Sequence, residues 1–143
     1  MGFLRWFNTT QEEPEASQLE LFGESRPLVR RERVDGATVR RDFTKAIKDK
    51  GGDHKAQRDS TIAMTEELFG CQPEELYDGT GGKRGDRSTL PKEVQKAYIV
   101  GETVATHDLH STTIKGSTQD EKNAEIADTV RQSSKKTRRL FPW

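Results

Sequence analysis

The sequence predicts an all-α fold, a small domain of three to four helices with flexible N- and C-terminal tails. One apolar stripe at helical spacing is longer than any other, and it contains Leu90, Val94, Tyr98, Gly101, Ala105 and Leu109. Only 30% of the residues are hydrophobic, whereas 34% are charged. The chain therefore has too few apolar side chains to form a core that includes all of its residues. We therefore expect a helical domain over residues 36–132, a flexible tail over 1–35 and a basic, aromatic tail over 133–143.

The N-terminal tail begins with an apolar and aromatic stretch, MGFLRWF, over residues 1–7. This stretch is suited to dock on a partner or on the domain itself, and a loose amphipathic turn is a third alternative. Residues 8–17 are polar and acidic and contain a proline, which is typical of a disordered segment. We expect residues 1–25 to be flexible in the free protein, because their few apolar side chains cannot offset the entropy lost on ordering.

Local signals predict where the first two helices of the domain lie. Phe43 and Ile47 are one helical turn apart and indicate a helix over about residues 36–50. Asp53 is suited to cap a second helix over residues 54–69, because its carboxylate can accept from the first free backbone N–H groups.

Similar signals mark the later helices. Gly70 is suited to end the second helix, and Pro73 to open a short acidic one. The pattern from Thr118 to Glu121 fits a capping box, which predicts a last helix over residues 119–135.

The core should form where apolar residues recur on one helix face. Gly101 on the long stripe indicates a close approach of two helices. Glu102 beside it is either a structural carboxylate or a functional acid, and we favour the structural role. The predicted core residues are Ile62, Leu68, Phe69, Leu76, Val94, Tyr98 and Ala105.

Two stretches resemble reactive or metal sites but do not fit them. The glycine-rich residues 79–87 lack the spacing, the Lys-Ser/Thr pair and the preceding strand of a phosphate loop. His107 and His110 are one turn apart, and with Asp108 or Glu102 they form only a weak metal-site pattern. We expect no catalytic residues, no metal and no cofactor, and therefore not an enzyme.

Several targeting signals are missing from the chain. Its apolar runs are shorter than a membrane span, and residues 1–7 are too short for a signal peptide. Trp6 stands where myristoylation requires Ser or Thr, and Cys71 has no partner for a disulfide. We expect a soluble cytoplasmic protein, free or associated with the nucleoid, with no membrane partner.

Positive charge is concentrated in residues 26–58, although the chain as a whole has 24 basic and 24 acidic side chains. Such a block is suited to neutralise the phosphates of DNA, and a merely solvated surface is the alternative. The candidate nucleic-acid-binding residues are Arg30, Arg31, Arg33, Arg40, Arg41, Lys45 and Lys48.

Short motifs are spread over residues 54 to about 130. They are His54, Thr61, Phe69-Gly70, Leu90, Gly101-Glu102-Thr103, Ala105-Thr106 and Glu121-Lys122-Asn123-Ala124. In this order they resemble the C-terminal part of the DNA-damage-inducible protein D family. That family usually has a larger N-terminal domain related to phage antirepressors, and the residues printed before these motifs do not resemble that domain. The resemblance implies a DNA-damage response, with recombination or replication proteins as partners, and it implies no catalytic residues.

The acidic tail contains one apolar peptide, QLELF, at residues 18–22. It matches Q-L-x-L-F, the peptide that binds the bacterial DNA polymerase sliding clamp, at all its specified positions. Leu21 and Phe22 would fill a deep apolar pocket, Leu19 would support them, and Gln18 would form hydrogen bonds in a smaller site. A chance match, or a first helical turn of the domain, is the alternative.

Two functions therefore stay open. The first is a non-enzymatic adaptor of the DNA-damage response or of replication and repair, which binds the sliding clamp through QLELF. The second is a small phage- or plasmid-type DNA-binding regulator that uses the basic residues between 30 and 58.

Overall fold

The computed structural model describes residues 2–12 and 30–143, and these residues form six α-helices and no strand. The all-α prediction is therefore confirmed. The helices are α1 (Phe3–Glu12), α2 (Arg30–Asp49), α3 (His54–Phe69), α4 (Pro73–Thr80), α5 (Lys92–Ser111) and α6 (Gln119–Arg138). A 3-10 turn, Arg87–Thr89, precedes α5. Among these helices, none combines the length and the apolar character needed to cross a bilayer.

The four long helices α2, α3, α5 and α6 pack into a bundle. The most extensive helix pairs are α3 with α6, α2 with α5, and α5 with α6. The short helices α1 and α4 pack on each other and on α3. The centre of the bundle is apolar and contains Phe43, Ile47, Met64, Leu68, Val94, Leu109, Ile126 and Val130, all without exposed surface.

Local capping signals in the sequence correctly place the ends of the helices. The Asp53 carboxylate accepts from the backbone N–H groups of Lys55 and Ala56, which begins α3. Gly70 ends α3 in the left-handed conformation, with a φ of 72° that favours glycine. Thr118 and Glu121 form both bonds of the predicted capping box at the start of α6.

The predicted core is confirmed at every position except Ile62. Leu68, Phe69, Leu76, Val94, Tyr98 and Ala105 are buried. Ile62 is only partly buried, because it lines an open groove between α3 and α6. The facing residues Ala124 and Ala127 are too small to cover it.

Two glycines lie at helix contacts. A side chain at Gly101 would place its Cβ 3.0 Å from Leu68 Cδ1 and 3.2 Å from Met64 Sδ, so the predicted close approach of α5 and α3 is confirmed. Gly36 does not mark the start of α2, as the sequence indicated, because that helix begins at Arg30. Gly36 instead faces the side chain of Ile99 on α5.

The aromatic stretch at the N-terminus docks on the domain, one of the alternatives that the sequence left open. It forms α1, whose Phe3 has no exposed surface. Leu4 lies over Gly79 of α4, where an added Cβ would be 2.6 Å from Leu4 Cδ2. The expectation of a flexible tail is thus wrong for residues 3–9, whereas residues 13–29 lie outside the described residues.

The C-terminal residues 133–143 do not form the flexible tail that the sequence predicted. Helix α6 continues to Arg138, and Ser133, Ser134 and Thr137 are buried in the bundle. Trp143 is only 6% exposed, and its indole Nε1–H donates to the carbonyl oxygen of Leu68 at 2.7 Å. Burial of this large aromatic side chain offsets the entropy of ordering the basic residues before it.

Candidate functional site

The carboxylate of Glu102 is buried in the bundle and binds two arginines. Its side chain is 1% exposed, and it lies on α5 directly after the glycine that packs on α3. Arg40 Nη1 on α2 donates to Oε2 at 2.6 Å, and Arg87 Nη1 donates to Oε1 at 2.9 Å. Both carboxylate oxygens are therefore satisfied by charged donors, the arrangement that a buried carboxylate requires.

The two arginines connect this carboxylate to neighbouring elements. Arg40 Nη2 donates to Thr61 Oγ1 on α3 at 3.1 Å, so one guanidinium links α2, α3 and α5. The guanidinium carbon of Arg87 lies 4.0 Å from the centre of the Tyr98 ring, a cation–π contact. We call Arg40, Glu102 and Arg87 the Arg–Glu–Arg cluster.

Tyr98 closes the inner side of the cluster. Its hydroxyl shares a hydrogen bond of 2.6 Å with Thr65 Oγ1, and its ring meets Phe69 edge-on at 5.2 Å. Burial raises the pKa of Tyr98 to about 12. The phenol is therefore neutral at physiological pH and adds no charge to the Arg–Glu–Arg cluster.

Local structure brings Arg87 into reach of Glu102. Asp86 caps the 3-10 turn, because its carboxylate accepts from the backbone N–H of Ser88 at 3.0 Å. Thr89 Oγ1 accepts from the backbone N–H of Lys83 at 2.8 Å, which holds the glycine-rich loop against the turn. This loop therefore positions an arginine for an internal ion pair. Nothing in the sequence indicated that Arg87 forms this ion pair, because its partner Glu102 lies on another element.

The basic residues predicted to contact DNA have different roles in the structure. Arg40 is bound to Glu102 and Thr61, so its guanidinium already has internal partners, and its contact with DNA stays a prediction. Arg41, Lys45 and Lys48 are exposed and recur at helical spacing on one face of α2. The backbones of Arg30, Arg31 and Arg33 belong to the first turn of α2, but their side chains lie outside the described residues.

The predicted clamp-binding residues Gln18, Leu19, Leu21 and Phe22 also lie outside the described residues. The helices on either side of their segment are described. Helix α1 is held on the bundle by its buried Phe3, and α2 is one of the four bundle helices. The bundle therefore anchors the chain on both sides of the peptide.

The residues of the weak metal-site pattern and the single cysteine do not form a reactive site in the described part of the chain. His107 and His110 are exposed on α5, and the intervening Asp108 binds Lys136 of α6 at 2.9 Å. Within residues 2–12 and 30–143, no group of three or more His, Cys, Asp or Glu side chains converges on a metal site. Burial and the nearby Glu75 raise the pKa of Cys71 to about 11, so this thiol is protonated at physiological pH.

The two ends of the described chain meet in one aromatic cluster, which the sequence did not predict. Phe3 contacts Trp143 edge-on with ring centres 4.8 Å apart, and it contacts Phe69 at 5.2 Å. Trp6 lies 5.2 Å from Trp143. The Phe141 ring is stacked on Trp143 at 4.8 Å, with an angle of 6° between the planes. The only signal in the sequence was that both ends are aromatic.

Comparison with known proteins provides no relative: no protein-family model, no curated protein and no solved structure matches the chain. The similarity to the DNA-damage-inducible protein D family accordingly stays a hypothesis that rests on the short motifs alone.

Proposed function

We propose that this protein is a non-enzymatic adaptor of the DNA-damage response or of replication and repair, which binds the DNA polymerase sliding clamp through residues 18–22. The observation that carries the proposal is the match of Gln18, Leu19, Leu21 and Phe22 to the clamp-binding peptide. A short peptide of this kind binds by placing a few apolar anchors in preformed pockets. The protein would act in the cytoplasm or at the nucleoid.

The position of the peptide supports this use. It lies between α1 and α2, both of which pack on the bundle. A clamp bound to residues 18–22 would thus be attached to the domain through two chain connections rather than one. The bundle, with its own surfaces, is then held close to the clamp, as an adaptor requires.

Replacing Leu21 and Phe22 together by alanine is expected to abolish clamp binding. The wild-type protein should bind purified clamp with a micromolar dissociation constant, about −8 kcal/mol, as expected for a short peptide with few anchors. Isothermal titration calorimetry with purified clamp measures the dissociation constants of the wild-type protein and of the double variant. The matched control is Glu20→Ala, which changes a side chain expected to face solvent. Equal binding by the wild-type protein and the double variant, or no binding by either, would end the proposal.

DNA binding by α2 is the second candidate function, and the exposed stripe of Arg41, Lys45 and Lys48 favours it. These cations are spaced to follow a phosphate backbone along one helix face. Arg40, on the same helix, already donates to the Glu102 carboxylate.

Replacing Arg41, Lys45 and Lys48 by alanine is expected to weaken duplex DNA binding and to lower its salt dependence. The slope of log affinity against log salt should fall by about 0.9 for each phosphate that the protein no longer neutralises. Fluorescence anisotropy with a labelled duplex measures this slope. Lys115→Ala removes an exposed cation from the connection between α5 and α6 and is the control. A slope that stays unchanged in the triple variant would exclude this face as the binding surface.

A further inference from the structure

Three aromatic rings stack in a column that extends from the core to the surface. The Phe69 ring is parallel to Trp143 within 20°, with centres 6.0 Å apart, and Trp143 is parallel to Phe141 within 6° at 4.8 Å. Phe69 is 1% exposed and Trp143 is 6% exposed, whereas Phe141 is only partly buried. We call these three rings the aromatic column, and Phe141 is its outer end.

The middle ring of the column, Trp143, is held in place by several contacts. The indole Nε1–H of Trp143 donates to the Leu68 carbonyl oxygen, and the rings of Phe3 and Trp6 pack against the same indole. Phe141 is therefore supported on one face by a fixed ring. A flat aromatic surface of this kind needs little reordering to accept another planar group, so binding would cost little conformational entropy.

Basic residues directly precede the outer end of the column in the chain. Arg138 Nη1 donates to the Phe141 carbonyl oxygen at 3.4 Å, Lys135 is exposed on the last turn of α6, and Arg139 is exposed directly after that helix. No acidic residue occurs in residues 129–143. Lys136 contributes less, because it is paired with Asp108. The side chains of this segment therefore offer cations, and no Asp or Glu carboxylate, to a ligand at Phe141.

We propose that the outer end of the aromatic column and the basic end of α6 bind single-stranded nucleic acid. An unpaired base stacks on Phe141 as the next layer of the column, and Lys135 and Arg139 contact the adjoining phosphates. Proteins that bind single strands without sequence preference combine these two elements, an aromatic ring for stacking and cations along the backbone. This site is separate from the clamp peptide and from the basic face of α2, and it does not depend on either function.

The geometry favours a single strand over a duplex or a membrane. Bases in a duplex are already stacked on each other and would have to unpair to reach Phe141. A lipid surface would use Leu140, which is 70% exposed and is the only exposed large hydrophobic side chain among the described residues. One aliphatic side chain offers little apolar area for insertion into a bilayer. The flat, supported ring is suited to a base instead.

Binding of the full-length protein to labelled oligo(dT) of about 15 nucleotides, followed by fluorescence anisotropy at low salt, tests the proposal. Phe141→Ala should weaken binding about 5- to 150-fold, the range expected when one base no longer stacks. Phe141→Leu keeps most of the apolar volume but loses the flat ring, and it should weaken binding similarly. Lys135→Ala with Arg139→Ala should lower the salt slope by about 0.7 for each phosphate that is no longer neutralised.

Two matched controls isolate the site. Leu140→Ala changes the adjacent exposed residue without touching the column, and Lys115→Ala removes an exposed cation from the connection between α5 and α6. Both should bind oligo(dT) as the wild-type protein does. Far-UV circular dichroism monitors the fold of every variant. If the Phe141 variants lose helix content, the salt slope of the Lys135→Ala/Arg139→Ala variant still tests the proposal, because both side chains are exposed.

Three results would overturn the proposal. The first is oligo(dT) binding that is unchanged in the Phe141 variants and in the Lys135/Arg139 variant. The second is no measurable oligo(dT) binding at low salt. The third is tight binding to vesicles of phosphatidylserine and phosphatidylcholine that Leu140→Ala abolishes, with oligo(dT) bound weakly and independently of Phe141. This last result would assign the surface to a membrane.

Discussion

Replacing Tyr98 by aspartate is expected to unfold the domain at room temperature. Tyr98 is 3% exposed and packs between the Phe69 ring, Thr65 and the guanidinium of Arg87. Removing a buried aromatic ring alone costs about 3–5 kcal/mol, because its packing disappears and a cavity remains. Burial of a carboxylate adds to this cost, and even an ion pair with Arg87 would not refill the volume of the ring.

This loss is a large part of the free energy of unfolding of a small domain, which is about 5–15 kcal/mol. Urea denaturation followed by far-UV circular dichroism measures it, and Tyr98→Phe is the matched control. The phenylalanine keeps the ring and its packing on Phe69 and Arg87 but removes the hydrogen bond to Thr65, so it should cost about 1 kcal/mol. A cooperative transition of Tyr98→Asp at the wild-type midpoint would remove Tyr98 from the core.

Replacing Glu102 by glutamine is expected to destabilise the protein by about 3 kcal/mol. Glutamine keeps the volume of the side chain but leaves Arg40 and Arg87 without a counterion, and its amide N–H group would face one of these donors. The guanidinium side chains are 36% and 30% exposed, so water screens part of their charge. For this reason we expect the lower end of the range for a broken buried pair, about 3–5 kcal/mol.

Chemical denaturation measures the effect of Glu102→Gln, and a double-mutant cycle with Arg40→Ala tests its cause. If the ion pair accounts for the loss, the two substitutions together should cost clearly less than the sum of their separate effects. Thr103→Ala is a control at the neighbouring exposed position and should change stability by less than about 0.5 kcal/mol. A midpoint for Glu102→Gln equal to that of the wild-type protein would show that the Arg–Glu–Arg cluster does not hold the bundle together.

The sequence predicts well those features that depend on residues close together in the chain. Asp53, Gly70 and the Thr118–Glu121 pair define helix ends through bonds within one turn, so a short window of sequence contains the whole signal. The long stripe that includes Tyr98 likewise requires only the period of a helix. These signals are sufficient for the fold class and for most of the core.

Features that join distant elements were predicted poorly. Glu102 binds Arg40 and Arg87, but neither arginine differs in sequence from an ordinary surface cation. Glycine usually weakens a helix, so the sequence indicated that Gly36 lies at a helix end. Gly36 instead lies inside α2, where it packs on the side chain of Ile99. Trp143 follows a run of basic residues that is typical of a tail, and its site exists only once α1 and α3 are in place.

The meeting of the two chain ends has a practical consequence for spectroscopy. The protein contains two tryptophans, Trp6 and Trp143, and both lie in the aromatic cluster that these ends form. Intrinsic tryptophan emission therefore reports the docking of the ends on α3, while ellipticity reports the helices of the bundle. The two signals monitor different events along one denaturation curve. Where their midpoints separate, the ends leave the domain before the bundle melts.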